Sequence, residues 1–301
     1  MKTHSKSAAL LVLRSPFFQA MVFLCPFLLI NLVFLIYPFI KGIWMSLHHW
    51  ELLSTQGTKP TFIGLSNYAK LFSDPFFWSS LVHTLEFAAI AVPIITMIGL
   101  ALALLLNHTG FPYTFLRGLF FSSGAFSVTV VTLIWLTVFS PTRGLVGQLF
   151  RLIGITPIDF LNNRAFAMTA IVITTVWWSI GFPMALFLAG LQQIPREIYE
   201  AAELDHASSW TVLRKITLPA LKRTTWIVIL IQVVSQFQIF GQVLLMTRGG
   251  PANSTRVLVQ YIYEKSFRDW QVGYASAISM VLFFAMMMIS LLQFKFSKTS
   301  P

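Results

Sequence analysis

The sequence predicts an all-α membrane protein that crosses the bilayer with six transmembrane helices. Charged residues make up 10 % of the 301 positions and hydrophobic residues 56 %, whereas about a quarter of a soluble chain is charged. Six stretches of 24 residues or more carry no charge: 15–40, 87–116, 118–142, 165–195, 224–247 and 270–294. A helix of about 20 residues crosses the hydrocarbon core, and these stretches lack the alternation of barrel strands.

The first span follows three basic residues, Lys2, Lys6 and Arg14, as the apolar part of a signal peptide does. Its apolar run is too long for a signal peptide and no small-residue cleavage site follows, so we expect this span to be retained. The second span begins before its charge-free stretch because the apolar pattern starts near Phe76. The six spans are predicted at 17–46, 77–106, 115–139, 165–190, 225–247 and 271–294.

Six spans place both termini on one side of the membrane. A cytoplasmic N-terminus leaves eleven Lys and Arg inside and ten outside, a balance that decides little under the positive-inside rule. The three basic residues before the first span favour a cytoplasmic N-terminus. We therefore expect 1–16 and 298–301 to form a cytoplasmic segment and tail around a membrane domain at 17–297.

The net charge of +11 fits basic side chains that meet anionic lipid headgroups at the membrane rims. Nucleic acid is not an expected partner, because no basic stretch is interleaved with aromatic residues in a polar context. The sequence has no Gly-Lys dipeptide, which a phosphate-binding P-loop needs, and no His/Cys cluster with zinc spacing. We expect neither a metal site nor a cofactor in this chain.

A polar loop at 191–224 separates the fourth and fifth spans. Pro195 suits the first turn of a helix, and residues 197–207 are good helix formers. One face of this helix is small or apolar and consists of Ile198, Ala201, Ala202 and Leu204 or Asp205. The loop is either a surface hairpin or a knob of small residues that docks into a groove of another protein.

The fifth span carries several polar side chains, which indicate a wet lining or contacts between helices. They are Gln232, Ser235, Gln236, Gln238 and Gln242. At 100° per residue they cover a sector of roughly 160° on a continuous helix. Amides bind hydroxyl groups both as donors and as acceptors, so this face suits a neutral sugar, with helix packing as the alternative.

Two other spans contain unusual residues. In the fourth, Trp177 and Trp178 precede Gly181 and Pro183, which predict a kink, and the two rings either wall a pathway or pack in the core. In the second, His83 and Glu86 lie one turn apart. They suggest proton coupling or, alternatively, an interfacial pair on one helix face.

The loop at 191–224 also carries a spaced motif formed by Glu200, Ala201, Ala202, Ile216, Leu218 and Pro219, with nine residues between positions 206 and 216. It resembles the EAA loop in permease subunits of binding-protein-dependent ABC importers. Their pattern is Glu-Ala-Ala, three residues, Gly, nine residues, Ile, one residue, Leu-Pro. Asp205 is typical of the sugar-importing members, whereas His206 departs from the family's Gly.

Further stretches resemble the carbohydrate-uptake branch of this family, which includes the larger permease subunits for maltose, oligosaccharides and glycerol phosphate. They are LAGLQQIPREIYEAAELD after the fourth span and LLMTRGGPANST, YIYEKSF and GYASAIS after the fifth. The resemblance extends from about Pro26 to the end of the sixth span.

The resemblance implies the type I ABC importer permease fold in a bacterial cytoplasmic (inner) membrane. It implies a second homologous permease, two ATPase subunits that bind ATP and Mg, and a periplasmic or extracellular solute-binding protein that delivers a sugar or sugar derivative. The chain itself would be a transport subunit and not an enzyme. The alternative is a self-sufficient secondary transporter or membrane-embedded enzyme, for which the spans offer neither an internal repeat nor a catalytic constellation.

Two sets of functional residues follow. By resemblance, a cytoplasmic coupling helix contacts the ATPase through Glu200, Ala201, Ala202, Asp205, His206, Ala207, Ile216, Leu218 and Pro219. From their polarity and position in the spans, the candidates for a substrate pathway are Trp177, Trp178, Gln232, Ser235, Gln236, Gln238 and Gln242.

Overall fold

The computed structural model describes residues 16–53 and 59–298, and within them the protein is almost wholly α-helical. The predicted all-α class is confirmed. Lys2, Lys6, Arg14 and most of the predicted cytoplasmic tail lie outside the described residues. The chain divides into two compact units, one formed by Met1–Leu71 and Lys265–Met280 and the other by Phe72–Glu264 and Val281–Pro301.

The first unit consists of a long helical run and a small hairpin. Its elements are α1 (Pro16–Asn31), a π-helical turn (Leu32–Ile36), α2 (Tyr37–Ser46), β1 (His48–His49), β2 (Thr61–Phe62) and α3 (Ser66–Phe72). The two strands pair antiparallel, and the Asn67 carboxamide donates hydrogen bonds to the carbonyl oxygens of Ser46 at 2.8 Å and His48 at 3.0 Å. From Phe23 to Ile36 the side chains are exposed apart from half-buried Asn31, and every residue in this range except Asn31 is apolar.

The second unit is organised around α4 (Pro75–Leu105), whose 31 residues give a length of about 46 Å. Asp74 caps its first turn by accepting a hydrogen bond from the Phe76 amide at 2.9 Å. One face of α4 packs on α9 (Gly181–Gln192) and α13 (Lys222–Phe237). Gly99 permits this approach, because a Cβ at that position would lie 2.9 Å from the Cβ of Pro183.

The other helices of this unit are shorter. They are α5 (Phe111–Ser122), α6 (Val128–Val138), α7 (Leu145–Leu152), α8 (Ala167–Ser179), α10 (Arg196–Leu204), α11 (Ser209–Val212), α12 (Leu218–Ala220), α14 (Gly241–Met246) and α15 (Leu258–Tyr263). A π-helical turn occupies Leu213–Thr217. A second π-helical turn, Glu264–Arg268, and the last helix, α16 (Val272–Lys298), each have residues in both units.

Three described helices are long and apolar enough to cross a membrane by themselves: Phe23–Ser46, Pro75–Leu105 and Val272–Lys295. The number rises to as many as six if each of three sharply bent helix pairs is one span. Broken helices are therefore a main feature of this fold.

The stretch predicted as the third span, 115–139, is not one straight helix. Its two parts, α5 with a short 3-10 turn and α6, meet at an angle of 104°. Ser127 caps α6 by accepting a hydrogen bond from the Val130 amide at 3.4 Å. The run Ser122-Ser123-Gly124 before it has low helix propensity, which explains the break.

The fourth stretch bends by 46° between α8 and α9, which confirms the kink predicted from Gly181 and Pro183. The fifth does not form the predicted continuous helix at 225–247, because α13 ends at Phe237 and α14 begins only at Gly241. The polar sector of roughly 160° assumed one unbroken helix, and that prediction is wrong.

Candidate functional site

The loop between α9 and α13 contains a short helix, α10, that ends in a tight turn. Pro195 lies just before this helix with φ −58° and ψ 137°, and not in its first turn as predicted. At the other end, the His206 amide donates to the Glu203 carbonyl oxygen at 3.0 Å and the Ala207 amide to that of Ala202 at 2.9 Å. This pair of bonds is a Schellman motif.

His206 is the left-handed residue of this motif, with φ 50°. A side chain is unfavourable in that conformation, and Gly is the usual residue there. The turn therefore gives a physical reason for the Gly that the EAA pattern has at this position. Histidine occupies it here at some conformational cost.

The small residues of α10 do not share one environment. Ala202 is only 7 % exposed in its own chain, so its side chain is not available for the outward contact predicted for it. The Tyr199 hydroxyl lies 3.2 Å from Thr217 Oγ1, which links α10 to the segment that leads into α13. Glu200 and Ala201 are exposed.

Large apolar side chains project from this loop. Ile198 is 44 % exposed, Leu204 82 % and Trp210 68 %. We call Ile198, Glu200, Ala201, Leu204 and Trp210 the loop surface. Exposed large apolar side chains in a polar loop indicate a docking partner. Trp210 was missed by the sequence analysis, although a Trp within a polar loop is a signal of this kind.

The remaining motif residues lie around and beyond this surface. Asp205, Leu218 and Pro219 are exposed, whereas Ala207 and Ile216 are half-buried. Ser208 caps α11 by accepting a hydrogen bond from the Thr211 amide at 3.3 Å. The helical segment that follows, Ser209–Ala220, meets α13 at 63°, so these residues set the direction in which the loop leaves the helix bundle.

A cavity of about 530 Å³ lies where the broken helices of the second unit meet. Its walls come from the end of α5, the bend between α8 and α9, and one face of α13. The lining residues are Phe121, Ser122, Gly124, Ala125, Trp178, Ser179, Phe182, Ile231, Gln232, Ser235 and Gln236. Aromatic rings, hydroxyls and amides are present, and none of these lining residues is charged.

The breaks are held together by specific contacts. Ser123 Oγ donates to the Trp178 carbonyl oxygen at 3.2 Å, and the Trp178 indole N–H donates to the Phe126 carbonyl oxygen at 3.1 Å. Gly181 lies so close to α5 that a Cβ would be 2.3 Å from the Phe120 carbonyl oxygen. In membranes, discontinuous helices with such re-satisfied backbone groups typically line binding sites.

Two glutamines one turn apart form the polar side of the cavity. Gln232 and Gln236 are each 4 % exposed, and Gln236 Nε2 donates to Gln232 Oε1 at 3.0 Å. This bond fixes the two amides relative to each other. It leaves the Gln232 N–H groups as donors and Gln236 Oε1 as an acceptor.

Of the predicted pathway residues, the structure places Trp178, Gln232, Ser235 and Gln236 in this cavity. Trp177 instead packs edge-on against Trp135, with ring centroids 5.9 Å apart. Gln238 Nε2 donates to Met286 Sδ at 3.8 Å, and Gln242 is buried in α14. The break after α13 separates these last two from the polar face.

Seven lining residues were not predicted: Phe121, Ser122, Gly124, Ala125, Ser179, Phe182 and Ile231. A signal for the first two was the run Ser122-Ser123-Gly124 in a charge-free stretch. The described residues contain no group of three or more His, Cys, Asp or Glu that could hold a metal ion. The lining residues can offer hydrogen bonds and ring stacking to a ligand.

An uncharged polar cavity between broken membrane helices, together with a structured loop that exposes apolar side chains, is typical of the membrane subunit of a transport system. The chain belongs to the family described as "Binding-protein-dependent transport system inner membrane component", whose sequence model matches residues 95–294. It is thus an inner-membrane transport component and not an enzyme. Membership of this family also contradicts the alternative that the chain is a self-sufficient secondary transporter.

Relatives match almost the whole chain. It is 33 % identical to "Probable ABC transporter permease protein YurN" of Bacillus subtilis (strain 168), over 92 % of this chain and 95 % of the relative. It is 33 % identical to "Lactose transport system permease protein LacF" of Rhizobium radiobacter, over 91 % and 92 %. It is 31 % identical to "Trehalose/maltose transport system permease protein MalF" of Thermococcus litoralis, over 90 % of each chain.

A solved structure establishes the fold. A chain of a bacterial ABC transporter involved in the import of the acidic polysaccharide alginate aligns with a TM-score of 0.82 at 21 % identity, over 93 % of this chain and 95 % of that one. The predicted ABC importer permease fold is confirmed.

Proposed function

We propose that this chain is the permease subunit of an ATP-driven importer and that it conducts a neutral sugar or sugar derivative through the cavity between α5, α8, α9 and α13. The observation that carries the proposal is the hydrogen-bonded pair Gln232–Gln236 in an uncharged, aromatic-lined cavity. The names of several relatives, among them lactose and trehalose/maltose permeases, support a carbohydrate substrate.

The chemistry of the cavity suits sugar hydroxyls. The free donors of Gln232 and the free acceptor of Gln236 can bind two adjacent hydroxyl groups in opposite senses. Phe121, Trp178 and Phe182 offer ring faces and edges to the apolar C–H surfaces of a sugar. A charged substrate would find no counter-charge among the lining residues, and its desolvation would be uncompensated.

The loop surface is the proposed contact with an ATPase subunit. Ile198, Leu204 and Trp210 offer apolar anchors, and Glu200 offers a carboxylate that can pair with a basic residue of the ATPase. Ala202 supports this surface from below, because it is buried in its own chain. The Tyr199–Thr217 contact then connects movement of α10 with the segment leading into α13.

The proposed assembly contains a second homologous permease, two ATPase subunits that bind ATP and Mg, and a solute-binding protein that delivers the sugar from the outside. One observation supports a second membrane chain. The helix from Phe23 to Ile36 is exposed nearly all round in this chain, which leaves its surface available for contact with another membrane helix. The binding protein is supported by the family to which the chain belongs.

Purification of the tagged chain in mild detergent tests this proposal. We expect an ATPase and a second permease to co-purify, and we expect a sugar to be found by mass spectrometry on the binding protein encoded with them. A chain that transports sugar alone in proteoliposomes, or a binding protein loaded with a ligand that is not a sugar or sugar derivative, would contradict it.

A further inference from the structure

A second cavity, of about 600 Å³, opens between α4 and α8 and is separate from the sugar cavity. His83, Glu86, Arg164, Thr169 and Ser254 contribute its polar groups. The rest of the wall is mainly aliphatic, with Ile90, Ile94, Val172 and Ile173. His83 and Glu86 lie in the N-terminal half of α4 and Arg164 lies just before α8, so the cavity has an ionic end and an apolar end. We call it the lateral groove.

Three polar side chains of the lateral groove, Glu86, Arg164 and Ser254, lack partners among the described residues. Among the described residues, neither Glu86 nor Arg164 forms an ion pair, and both are exposed. The Ser254 hydroxyl is buried and has no hydrogen-bond partner. A carboxylate in a membrane span is costly when it is unpaired. An occupant that carries both a cationic and an anionic group would therefore provide a partner for Glu86 and for Arg164.

His83 adds an oriented acceptor. Its Nδ1 lies 3.2 Å from the carbonyl oxygen of Arg256, and because a carbonyl oxygen only accepts, Nδ1 carries the proton. In the neutral ring Nε2 is then an acceptor. The ionic end of the groove thus presents two acceptors, Glu86 and His83 Nε2, and two donors, Arg164 and Ser254.

The length of the groove matches one leaflet of a membrane. From His83 to Ile94 the helix α4 advances eleven residues, or about 16 Å. Half of the hydrocarbon core measures about 15 Å. An acyl chain that lies along Ile90, Ile94 and Val172 would therefore have its headgroup beside the ionic end.

We propose that the lateral groove binds a phospholipid with a primary-ammonium, zwitterionic headgroup, of the phosphatidylethanolamine type. Glu86 and His83 accept hydrogen bonds from the ammonium, while Arg164 and Ser254 donate to the phosphate. The negative charge of Glu86 and the positive charge of Arg164 cancel, which matches a headgroup without net charge. An anionic headgroup would leave Glu86 unpaired, and a quaternary ammonium has no N–H to donate.

Native mass spectrometry tests this assignment. The full-length chain, purified with the subunits that accompany it, is incubated with equal amounts of palmitoyl-oleoyl phosphatidylethanolamine, phosphatidylcholine and phosphatidylglycerol, and the retained lipid is counted. We expect phosphatidylethanolamine to be retained preferentially. Glu86→Gln and Arg164→Gln should each reduce its retention about tenfold, the factor that one charge-assisted hydrogen bond supplies.

Two further variants sharpen the test. Glu86→Lys makes the ionic end of the groove cationic and should shift the lipid preference to phosphatidylglycerol. Ala165→Trp fills the ionic end from an exposed position and should block binding without disturbing the fold. Arg143→Gln, an exposed position outside the groove, is the control and should retain lipid normally.

Three results would overturn the proposal. The first is equal retention of the three lipids by the unaltered chain. The second is an unchanged preference in Glu86→Lys. The third is efficient cross-linking of a cysteine at Ala165 to another protein chain in the assembled transporter, since a protein helix would then occupy the groove.

Discussion

The amide of Ala207 donates a hydrogen bond to the carbonyl oxygen of Ala202 at 2.9 Å, and this bond closes the C-terminus of α10. It forces the intervening His206 into the left-handed region, at φ 50°. The spacing of the EAA motif thus has a structural meaning. The residue four positions after the second Ala of the motif is the point where the chain must reverse, and the geometry of that turn suits Gly.

His206→Gly should stabilise the loop. Gly adopts positive φ without the clash of a Cβ, and part of this gain is offset by the greater freedom of Gly in the unfolded chain, so we expect a net gain of about 0.5–1 kcal/mol. Protease resistance of the loop and thermal unfolding of the purified protein measure it. Asp205→Gly, one residue earlier at φ −77°, is the matched control and should destabilise, and a gain in both variants would contradict the assignment.

Gly181→Ala should disrupt the meeting point of the broken helices. The new Cβ would lie 2.3 Å from the Phe120 carbonyl oxygen, which requires a backbone shift and costs about 1–3 kcal/mol. Gly118→Ala is the control, because a Cβ at Gly118 meets nothing within 4 Å. Thermal unfolding in detergent should show a lower midpoint for the first variant alone. Equal midpoints for both would mean that the helices do not approach at Gly181.

The loop surface should be required for binding of the ATPase. Leu204→Glu removes its most exposed apolar side chain and Glu200→Lys reverses a charge, so each should reduce the amount of ATPase that co-purifies by tenfold or more. Leu152→Glu is a matched control, since Leu152 and Leu204 are both 82 % exposed. ATPase retained at normal levels by both loop variants would remove α10 from the contact.

Ala202→Trp should act differently from the two loop-surface variants. Ala202 is buried in its own chain, so the larger side chain overpacks the base of α10. We expect a loss of loop protection against protease together with the loss of ATPase. A variant that loses the ATPase but keeps a fully protected loop would show that Ala202 faces the partner after all.

Orientation in the membrane remains a prediction from the sequence. Both termini, the turn between the second and third predicted spans (107–117) and the loop at 191–224 are expected in the cytoplasm. An impermeant thiol reagent applied from the outside should label single cysteines at Thr58, which lies outside the described residues, and at Asn253, but not at Arg196. Labelling of all three positions from the same side would contradict this topology.

The sequence predicted features that depend on composition or on local backbone chemistry. Absence of charge over 24 residues or more predicted the membrane spans, because the bilayer imposes that requirement on any spanning segment. The bend at Gly181 followed from the residues around it. The EAA spacing located the loop that carries α10, although its assignment as an ATPase contact remains a prediction.

The sequence did not predict the helix breaks that contain no Pro. The α5–α6 break depends on Ser123 and Phe126 being satisfied by Trp178, more than fifty residues away. The polar face of α13 was extended too far, since nothing local showed that the helix stops at Phe237. The burial of Ala202 likewise depends on tertiary packing, which a pattern of small residues does not specify.

Uptake of sugar through the cavity between the broken helices is the central claim, and one comparison tests it most directly. The assembled transporter is reconstituted in proteoliposomes with its binding protein and ATP, and uptake of the sugar found on that binding protein is measured for Gln236→Leu and Gln238→Leu. Gln236 lines the cavity, whereas Gln238 bonds Met286 outside it. Loss of one or two hydrogen bonds at about 1 kcal/mol each predicts a reduction of about five- to thirtyfold for Gln236→Leu, with Gln238→Leu within twofold of the unaltered protein. Normal uptake by Gln236→Leu, or an equal loss in both variants, would contradict the account.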